Sequence, residues 1–217
     1  MKYQYRLIVF DWDGTIIDSA SSIAECIRDA AADLALEVPT VEQARHVIGL
    51  GLHDALRSAV PGLTAERYPE FVARYRHHFL AREDAMGLFP GMRELIQNLA
   101  VERTLGIATG KSRRGLDRAL DETRLKPYFR ASRCADETQP KPHPAMLQEL
   151  MAELGMTEKG VLMIGDTSHD LEMARAAGVD AVAVTYGAHP AEGLLSYSPR
   201  ACVSSVNELK QWLAQSG

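Results

Sequence analysis

An uninterrupted apolar run, Leu7–Phe10, lies near the start of the sequence and is followed directly by Asp11. Because the run is rich in β-formers and has no polar alternation, it predicts a strand buried on both faces, as in a parallel sheet. Parallel α/β sheets bind ligands beyond the carboxyl ends of their strands, where Asp11 and Asp13 would lie, and Gly14 allows a sharp turn there. Taken alone, the stretch favours a catalytic role only modestly over an ordinary acidic turn.

A block of helical periodicity follows this strand. Apolar residues recur at helical spacing from Ile23 to Leu34, and Thr40 with Gln43 resembles a capping box that opens a second helix. A further helix is predicted over residues 64–82. We therefore expect residues 19–85 to form an all-helical domain inserted after the first strand.

Strand and helix patterns alternate in the remainder of the chain. Strands are predicted over residues 104–109, 130–134, 161–164, 181–184 and 201–204, with a helix between each successive pair except the last. Such alternation specifies a parallel sheet with helices on both faces. The predicted fold class is α/β, a Rossmann-like doubly wound parallel sheet built from residues 1–18 and 86–217.

Composition narrows the classes of function. The 217 residues carry a net charge of -5, which argues against a nucleic-acid partner because phosphate backbones are met by basic patches. No apolar run approaches the roughly 20 residues of a membrane span, and no signal pattern precedes the first strand, so we expect a cytoplasmic protein.

The three cysteines are widely spaced and suggest neither a disulfide framework nor a zinc site. The oligomeric state, monomer or homodimer, stays open.

Polar side chains follow three further predicted strands. Thr109-Gly110 ends the second strand, Lys141 follows the third, and Asp166 and Asp170 follow the fourth. Each has an ordinary alternative, namely a turn, a solvated loop cation or a capped helix start. Because all of them fall at the edge that carries Asp11, those alternatives would require four coincidences.

This set of residues suits phosphoryl transfer. The carboxylates of Asp11 and Asp166 can hold Mg²⁺, a hard cation that takes oxygen ligands, while Thr109 and Lys141 can bind phosphate oxygens. A small phosphate ester would then be attacked by Asp11. Asp13 could protonate the leaving oxygen and later deprotonate water, provided that its anionic surroundings raise its pKa enough to keep it protonated at the first step.

The four motifs resemble those of the haloacid dehalogenase superfamily of hydrolases. They are Asp11-Trp12-Asp13-Gly14-Thr15, then Thr109, then Lys141 in Lys-Pro-His-Pro, and finally Gly165-Asp166-Thr167-Ser168-His169-Asp170. The resemblance spans nearly the whole chain. It implies that the insert of residues 19–85 is a cap that closes over the site and excludes water.

The resemblance also implies a role for each matching residue. Asp11 would be the nucleophile and Asp13 the acid/base, and Mg²⁺ would be bound by Asp11, Asp166 and the backbone carbonyl of Asp13. Asp170 would support the metal site or orient Lys141. Phosphate would be bound by Thr109, Gly110 and Lys141.

Within the superfamily, the presence of Asp13 favours phosphate esters over halides, since a halide leaving group needs no acid. The chain has no lysine between Lys2 and Lys111, so the branch that uses a cap lysine to cleave phosphonates is not indicated. The sequence resembles bacterial phosphoglycolate phosphatases at residues 10–19, at Lys141-Pro142-His143-Pro144, at Thr185-Tyr186-Gly187 and at residues 203–209. Pyrophosphatase, sugar-phosphate phosphatase or mutase activity stays open, as does a noncatalytic binding protein on this fold. Three arginines of the insert could meet a carboxylate or a second phosphate, although solvated helix faces explain most of them: Arg28, Arg45 and Arg57.

Overall fold

The computed structural model describes residues 4–215. Residues 1–3 and 216–217, which the predicted sheet domain includes, lie outside this range. The strands are β1 (Leu7–Phe10), β2 (Thr104–Thr109), β3 (Ala131–Cys134), β4 (Val161–Gly165), β5 (Asp180–Val184) and β6 (Ala201–Val203). The helices are α1 (Ala20–Asp33), α2 (Val41–His46), α3 (Leu52–Ala59), α4 (Tyr68–Ala81), α5 (Met92–Glu102), α6 (Arg113–Thr123), α7 (Ala145–Leu154), α8 (Ser168–Ala176), α9 (Ala191–Leu195) and α10 (Val206–Gln215).

The six strands form one sheet in the order β3-β2-β1-β4-β5-β6, and every pair is parallel. Strand β1 is central, with Phe10 in register with Ile107 on one side and Ile164 on the other. Its side chains divide between two cores, because Ile8 and Phe10 pack on one face of the sheet and Leu7 and Val9 on the other. Burial on both faces explains the apolar run and confirms the predicted α/β fold class.

Helices α1–α4 pack around a third hydrophobic core of their own. The chain leaves the sheet and returns to it at adjacent points, since the amide of Asp18 donates to the carbonyl of Gly87 at 2.9 Å. The division into a sheet domain and a cap at residues 19–85 stays a prediction, and we use "cap" below for the helical segment that contains α1–α4.

Local signals account for most element boundaries. Thr40 and Gln43 form the predicted capping box, with bonds of 3.1 and 2.8 Å. The prediction that a helix begins at residue 64 was wrong, because α4 begins at Tyr68, where Pro69 occupies the first turn, a position at which its missing amide costs nothing. The five-residue helix α9 was not predicted. None of the described helices is both long and apolar enough to cross a bilayer.

Candidate active site

Three of the predicted motifs meet at the carboxyl edge of the sheet. Asp11 directly follows β1, and Lys141 arrives from the loop after β3 with its Nζ atom 2.7 Å from Oδ1 of Asp11. The same Nζ atom lies 2.6 Å from Oδ1 of Asp170, in the first turn of α8. All three side chains are buried. Asp11 therefore meets two residues more than a hundred positions further along the chain in one carboxylate–lysine–carboxylate contact.

Electrostatics keep Lys141 charged inside this contact. Burial alone lowers the pKa of a lysine, but the charges of Asp11 and Asp170 outweigh burial here and raise the pKa of Lys141. The pKa of Asp11 is also raised well above its usual value, because the cost of burying its charge exceeds the attraction of Lys141. The Lys141 ammonium therefore lies beside the Asp11 carboxylate, and further positive charge would stabilise the ionised form of Asp11.

Helix α8 begins in a way that fixes Asp170. Thr167 caps the helix, and its amide and hydroxyl both donate to Oδ2 of Asp170, at 3.0 and 2.7 Å. This capping box turns the Asp170 side chain back toward the sheet edge and leaves Oδ1 for Lys141. The geometry matches the orienting role expected of Asp170, which stays a prediction.

Asp166 is held at both carboxylate oxygens. Oδ1 accepts from the hydroxyl of Thr15 at 2.8 Å, and Oδ2 accepts from the amide of Ala188 at 2.7 Å. Burial, and then the charge of Asp170, raise the pKa of Asp166 to about 7. Gly14 packs against this carboxylate with a φ of +77°. A Cβ atom at position 14 would overlap the Asp166 carboxylate, so the first motif requires glycine there.

Three carboxylates could hold a metal ion. Asp11, Asp166 and Asp170 each offer an oxygen, and these oxygens lie within 4.8 Å of one another. Oδ2 of Asp11 is buried and has no hydrogen-bond partner, as expected of an oxygen that awaits a cation. A buried, oxygen-only ligand set suits a hard divalent cation such as Mg²⁺. The carboxylate of Asp13 is outside this cluster, so its expected contribution through the backbone carbonyl stays a prediction.

Asp13 instead faces two side chains that sequence reasoning did not assign. The hydroxyl of Ser19 donates to Oδ1 of Asp13 at 2.8 Å, and Nζ of Lys111 lies 3.0 Å from Oδ2. The sequence analysis weighed only anionic neighbours of Asp13 and missed this cation. Lys111 lies two residues after Thr109, the last residue of β2, and this position at the sheet edge could have indicated its role.

Thr109 and Gly110 lie beside Asp11 and Asp13 in the lining of one pocket. The hydroxyl oxygen of the buried Thr109 accepts from the amide of Lys111 at 3.2 Å, which leaves the hydroxyl proton for a ligand. Gly110 packs tightly against the backbone of the cap residues Gly49 and Leu50. Both residues are therefore placed as expected for phosphate contacts, although that role stays a prediction.

The pocket lies between the sheet edge and the cap. Its volume is about 410 Å³, and its lining includes residues of α1, α4 and the loop between α2 and α3. Tyr75 of α4 contributes to the wall, and burial followed by the charge of Asp13 raises the pKa of its hydroxyl. Phe79, four residues further along α4, also faces the site.

The three arginines considered from the sequence do not line this pocket. Arg28 donates to the carbonyl of Pro39 at 2.9 Å. Arg45 donates to the carbonyls of Gly187 and Ala188, at 2.6 and 3.1 Å, and so ties the cap to the loop that binds Asp166. The idea that these arginines meet a substrate anion has no support in their positions.

The chain is similar in sequence to known hydrolases and phosphatases. A family model for haloacid dehalogenase-like hydrolases matches residues 8–184. A relative named probable phosphatase IndB, from Dickeya dadantii, is 34% identical over 94% of this chain and 91% of its own length. The phosphoglycolate phosphatase of Aliivibrio fischeri is 29% identical over 89% of this chain and 90% of its own length.

The crystal structure of a predicted phosphoglycolate phosphatase from Haemophilus somnus 129PT is similar in fold. Its TM-score is 0.86 at 24% identity, and the match covers 97% of this chain and 99% of that one. The family match reaches from β1 to the end of β5 and includes all four motifs. This chain belongs to the haloacid dehalogenase-like hydrolase family.

Proposed function

We propose that this chain is a Mg²⁺-dependent phosphatase that hydrolyses a small phosphate monoester through an aspartyl-phosphate intermediate on Asp11. One observation carries the proposal. Asp11 opens onto the pocket with one oxygen paired to Lys141 and the other without a hydrogen-bond partner, in the same pocket as Asp13 and Thr109. Relatives named as phosphatases make phosphate esters the substrate class to test first.

The metal would be held by Asp11, Asp166 and the backbone carbonyl of Asp13, with Asp170 beside them in the carboxylate cluster. When bound, Mg²⁺ would supply positive charge that offsets repulsion between the Asp11 carboxylate and a phosphate dianion. Lys141 adds a fixed ammonium at 2.7 Å from the same carboxylate. Thr109 would donate its hydroxyl proton to a phosphate oxygen.

The covalent steps use two side chains of this chain. A carboxylate oxygen of Asp11 forms a bond to phosphorus while the bond from phosphorus to the ester oxygen breaks, and Asp13 transfers its proton to the leaving alkoxide. Asp13, now a carboxylate, takes a proton from water as the water oxygen attacks the phosphorus of the aspartyl phosphate. Inorganic phosphate leaves, and both carboxyl groups return to their starting states.

The test is hydrolysis of p-nitrophenyl phosphate with Mg²⁺ and with EDTA in its place. We expect activity that requires Mg²⁺ and is lost in Asp11→Asn, which also excludes a contaminating phosphatase. Rapid acid quenching followed by peptide mass spectrometry should find a phosphoryl adduct on Asp11 in the wild type. Absence of Mg²⁺-dependent turnover with every ester would identify a noncatalytic protein instead.

Substrate choice within the family is settled by a panel. 2-Phosphoglycolate, pyrophosphate and hexose phosphates should be compared by kcat/KM under the same Mg²⁺ concentration. A phosphate monoester should be preferred, because the proposed role of Asp13 is to protonate a leaving alkoxide. Preference for pyrophosphate, or isomerisation of a hexose phosphate, would move the chain to one of the alternatives considered above.

A further inference from the structure

The wall of the pocket opposite the sheet edge is apolar. The floor carries the reacting groups, but the cap contributes hydrocarbon side chains from α1, α4 and the loop and helix start at residues 50–52: Ile23, Ile27, Leu50, Leu52, Phe79 and Leu80. A volume of about 410 Å³ lies within the range of about 300–1,000 Å³ typical of pockets that enclose drug-sized ligands. This pocket, which would also have to hold the phosphate, is larger and more apolar than a two-carbon acid requires.

Two cations near this wall, Lys111 and Arg118, already have partners, so they offer little charge to a carboxylate on a short leaving group. Lys111 is paired with Asp13 and lies 4.9 Å over the ring of Phe79. Arg118 is paired with Glu83. Burying a carboxylate among hydrocarbon side chains without a counter-ion carries a large desolvation cost.

Two arginines in the lining differ from these. Arg76 of α4 and Arg114 of α6 are exposed and have no ion pair or hydrogen bond with any residue in the described part of the chain. Their exposure places them where water screens their charges, so they suit attraction of an incoming dianion more than selection of a buried group. The cap side of the enclosed pocket is mostly hydrocarbon, apart from the hydroxyl of Tyr75.

We propose that this site takes phosphate monoesters whose leaving alcohol carries an extended apolar chain or ring, rather than a short hydroxy acid. The inference rests on the proposed phosphatase function and specifies its substrate class. Its physical basis is the gain from removing apolar surface from water, about 0.8 kcal/mol for each buried methylene, or about fourfold in affinity. Affinity should therefore rise with the length of the leaving group.

The test uses alkylphosphonates, whose carbon–phosphorus bond resists hydrolysis, so that binding is measured without turnover. Isothermal titration of the wild-type chain in Mg²⁺ would compare propyl-, butyl-, pentyl- and hexylphosphonate with 3-phosphonopropionate, which mimics phosphoglycolate. We expect Kd to fall at least tenfold from propyl to hexyl, and hexylphosphonate to bind at least tenfold more tightly than 3-phosphonopropionate. A flat series, or tighter binding of the carboxylate, would overturn the inference.

A matched pair of variants locates the effect. Leu50→Asn makes one wall residue polar while keeping the number of side-chain heavy atoms, and Val41→Asn introduces the same polar group at a half-exposed cap residue that does not line the pocket. We expect Leu50→Asn to weaken hexylphosphonate binding about tenfold and propylphosphonate binding less than threefold, with Val41→Asn unchanged for both. Equal losses for both ligands in Leu50→Asn, with a wild-type melting temperature, would contradict an apolar subsite.

The two proposals fail in different ways. Loss of the chain-length trend with Mg²⁺-dependent ester hydrolysis intact would reject the apolar subsite and leave the phosphatase standing. A clear trend without any hydrolysis would reject the phosphatase and show that the pocket nevertheless binds apolar phosphate compounds. Ethyl and hexyl phosphate, whose alcohols differ little in acidity, give the corresponding comparison of kcat/KM.

Discussion

The ammonium of Lys111 lies 3.0 Å from the carboxylate of Asp13 and 4.9 Å over the ring of Phe79. One lysine of the sheet edge therefore contacts both the proposed acid/base and an aromatic side chain of the cap. With Ser19 on the other oxygen, Asp13 is held from two sides. Its orientation thus depends on the position of the cap as well as on the sheet.

Replacing Lys111 by Met should lower kcat roughly tenfold to a hundredfold. The variant removes one of the two contacts that orient Asp13 but leaves the carboxyl group itself, whose loss would cost about 10²–10⁴-fold as for other acid–base catalysts. Steady-state kinetics with an alkyl phosphate should show most of the change in kcat, partly restored in Lys111→Arg. Lys126→Met, at an exposed lysine, is the control, and a wild-type kcat in Lys111→Met would refute the positioning role.

Metal stabilisation should distinguish Asp11 from Asp13. Loss of one carboxylate ligand is expected to weaken Mg²⁺ binding at least tenfold, which reduces the stabilisation at fixed Mg²⁺ by about 1.4 kcal/mol and the melting temperature by about 3–5 °C. Differential scanning fluorimetry with Mg²⁺ or EDTA should show this reduced shift in Asp11→Asn and Asp166→Asn. Asp13→Asn should keep the full shift, because its carboxylate is outside the cluster. A reduced shift in Asp13→Asn would place that carboxylate at the metal.

The fold was predictable because its signals are local. The apolar run Leu7–Phe10 has no alternation since both faces of β1 are covered, and this pattern is readable without knowing the neighbours. Convergence of Asp11, Lys141 and Asp170 followed from one rule, that parallel strands share a carboxyl edge. The sheet topology alone therefore predicted most of the residues of the candidate site.

The contacts that the sequence did not predict depend on how the cap packs against the sheet. Arg28 and Arg45 belong to the cap, as does Arg76, yet helix orientation turns only Arg76 toward the pocket and ties the other two to backbone carbonyls. The pairing of Lys111 with Asp13 likewise requires side-chain directions that sequence spacing does not contain. Helical periodicity shows which face of a helix is buried, but it does not show which residues that face contacts.

Acid should destabilise the protein through His189. Its Nε2 atom lies 3.0 Å from the carbonyl of His46 and its Nδ1 accepts from the amide of Ser168 at 3.1 Å, which requires the neutral ring. Burial, and then the charge of His169, lower the pKa of His189 to about 4. Because the unfolded pKa is about 6.5, this stability is present above pH 6.5 and is lost as the pH falls toward 4.

Urea unfolding at pH 7.5 and 4.5 measures the effect. His189→Gln keeps a donor for the His46 carbonyl but cannot titrate, so the wild type should lose roughly 2–3 kcal/mol more than this variant between the two pH values. His53→Gln, at an exposed histidine, should follow the wild type. Equal acid losses in wild type and His189→Gln would show that His189 does not carry the dependence.

Gly110 is where the second motif touches the cap most closely. A Cβ atom there would lie 2.6 Å from the carbonyl oxygen of Gly49 and closer still to that of Leu50, and backbone cannot yield as a flexible side chain can. Gly110→Ala should therefore push the cap loop away from the site and lower kcat/KM at least tenfold. Gly62→Ala adds the same methyl group to the cap in open space and should leave kcat/KM unchanged. If Gly110→Ala keeps wild-type kcat/KM, the close seating of the cap on the second motif is not needed for turnover.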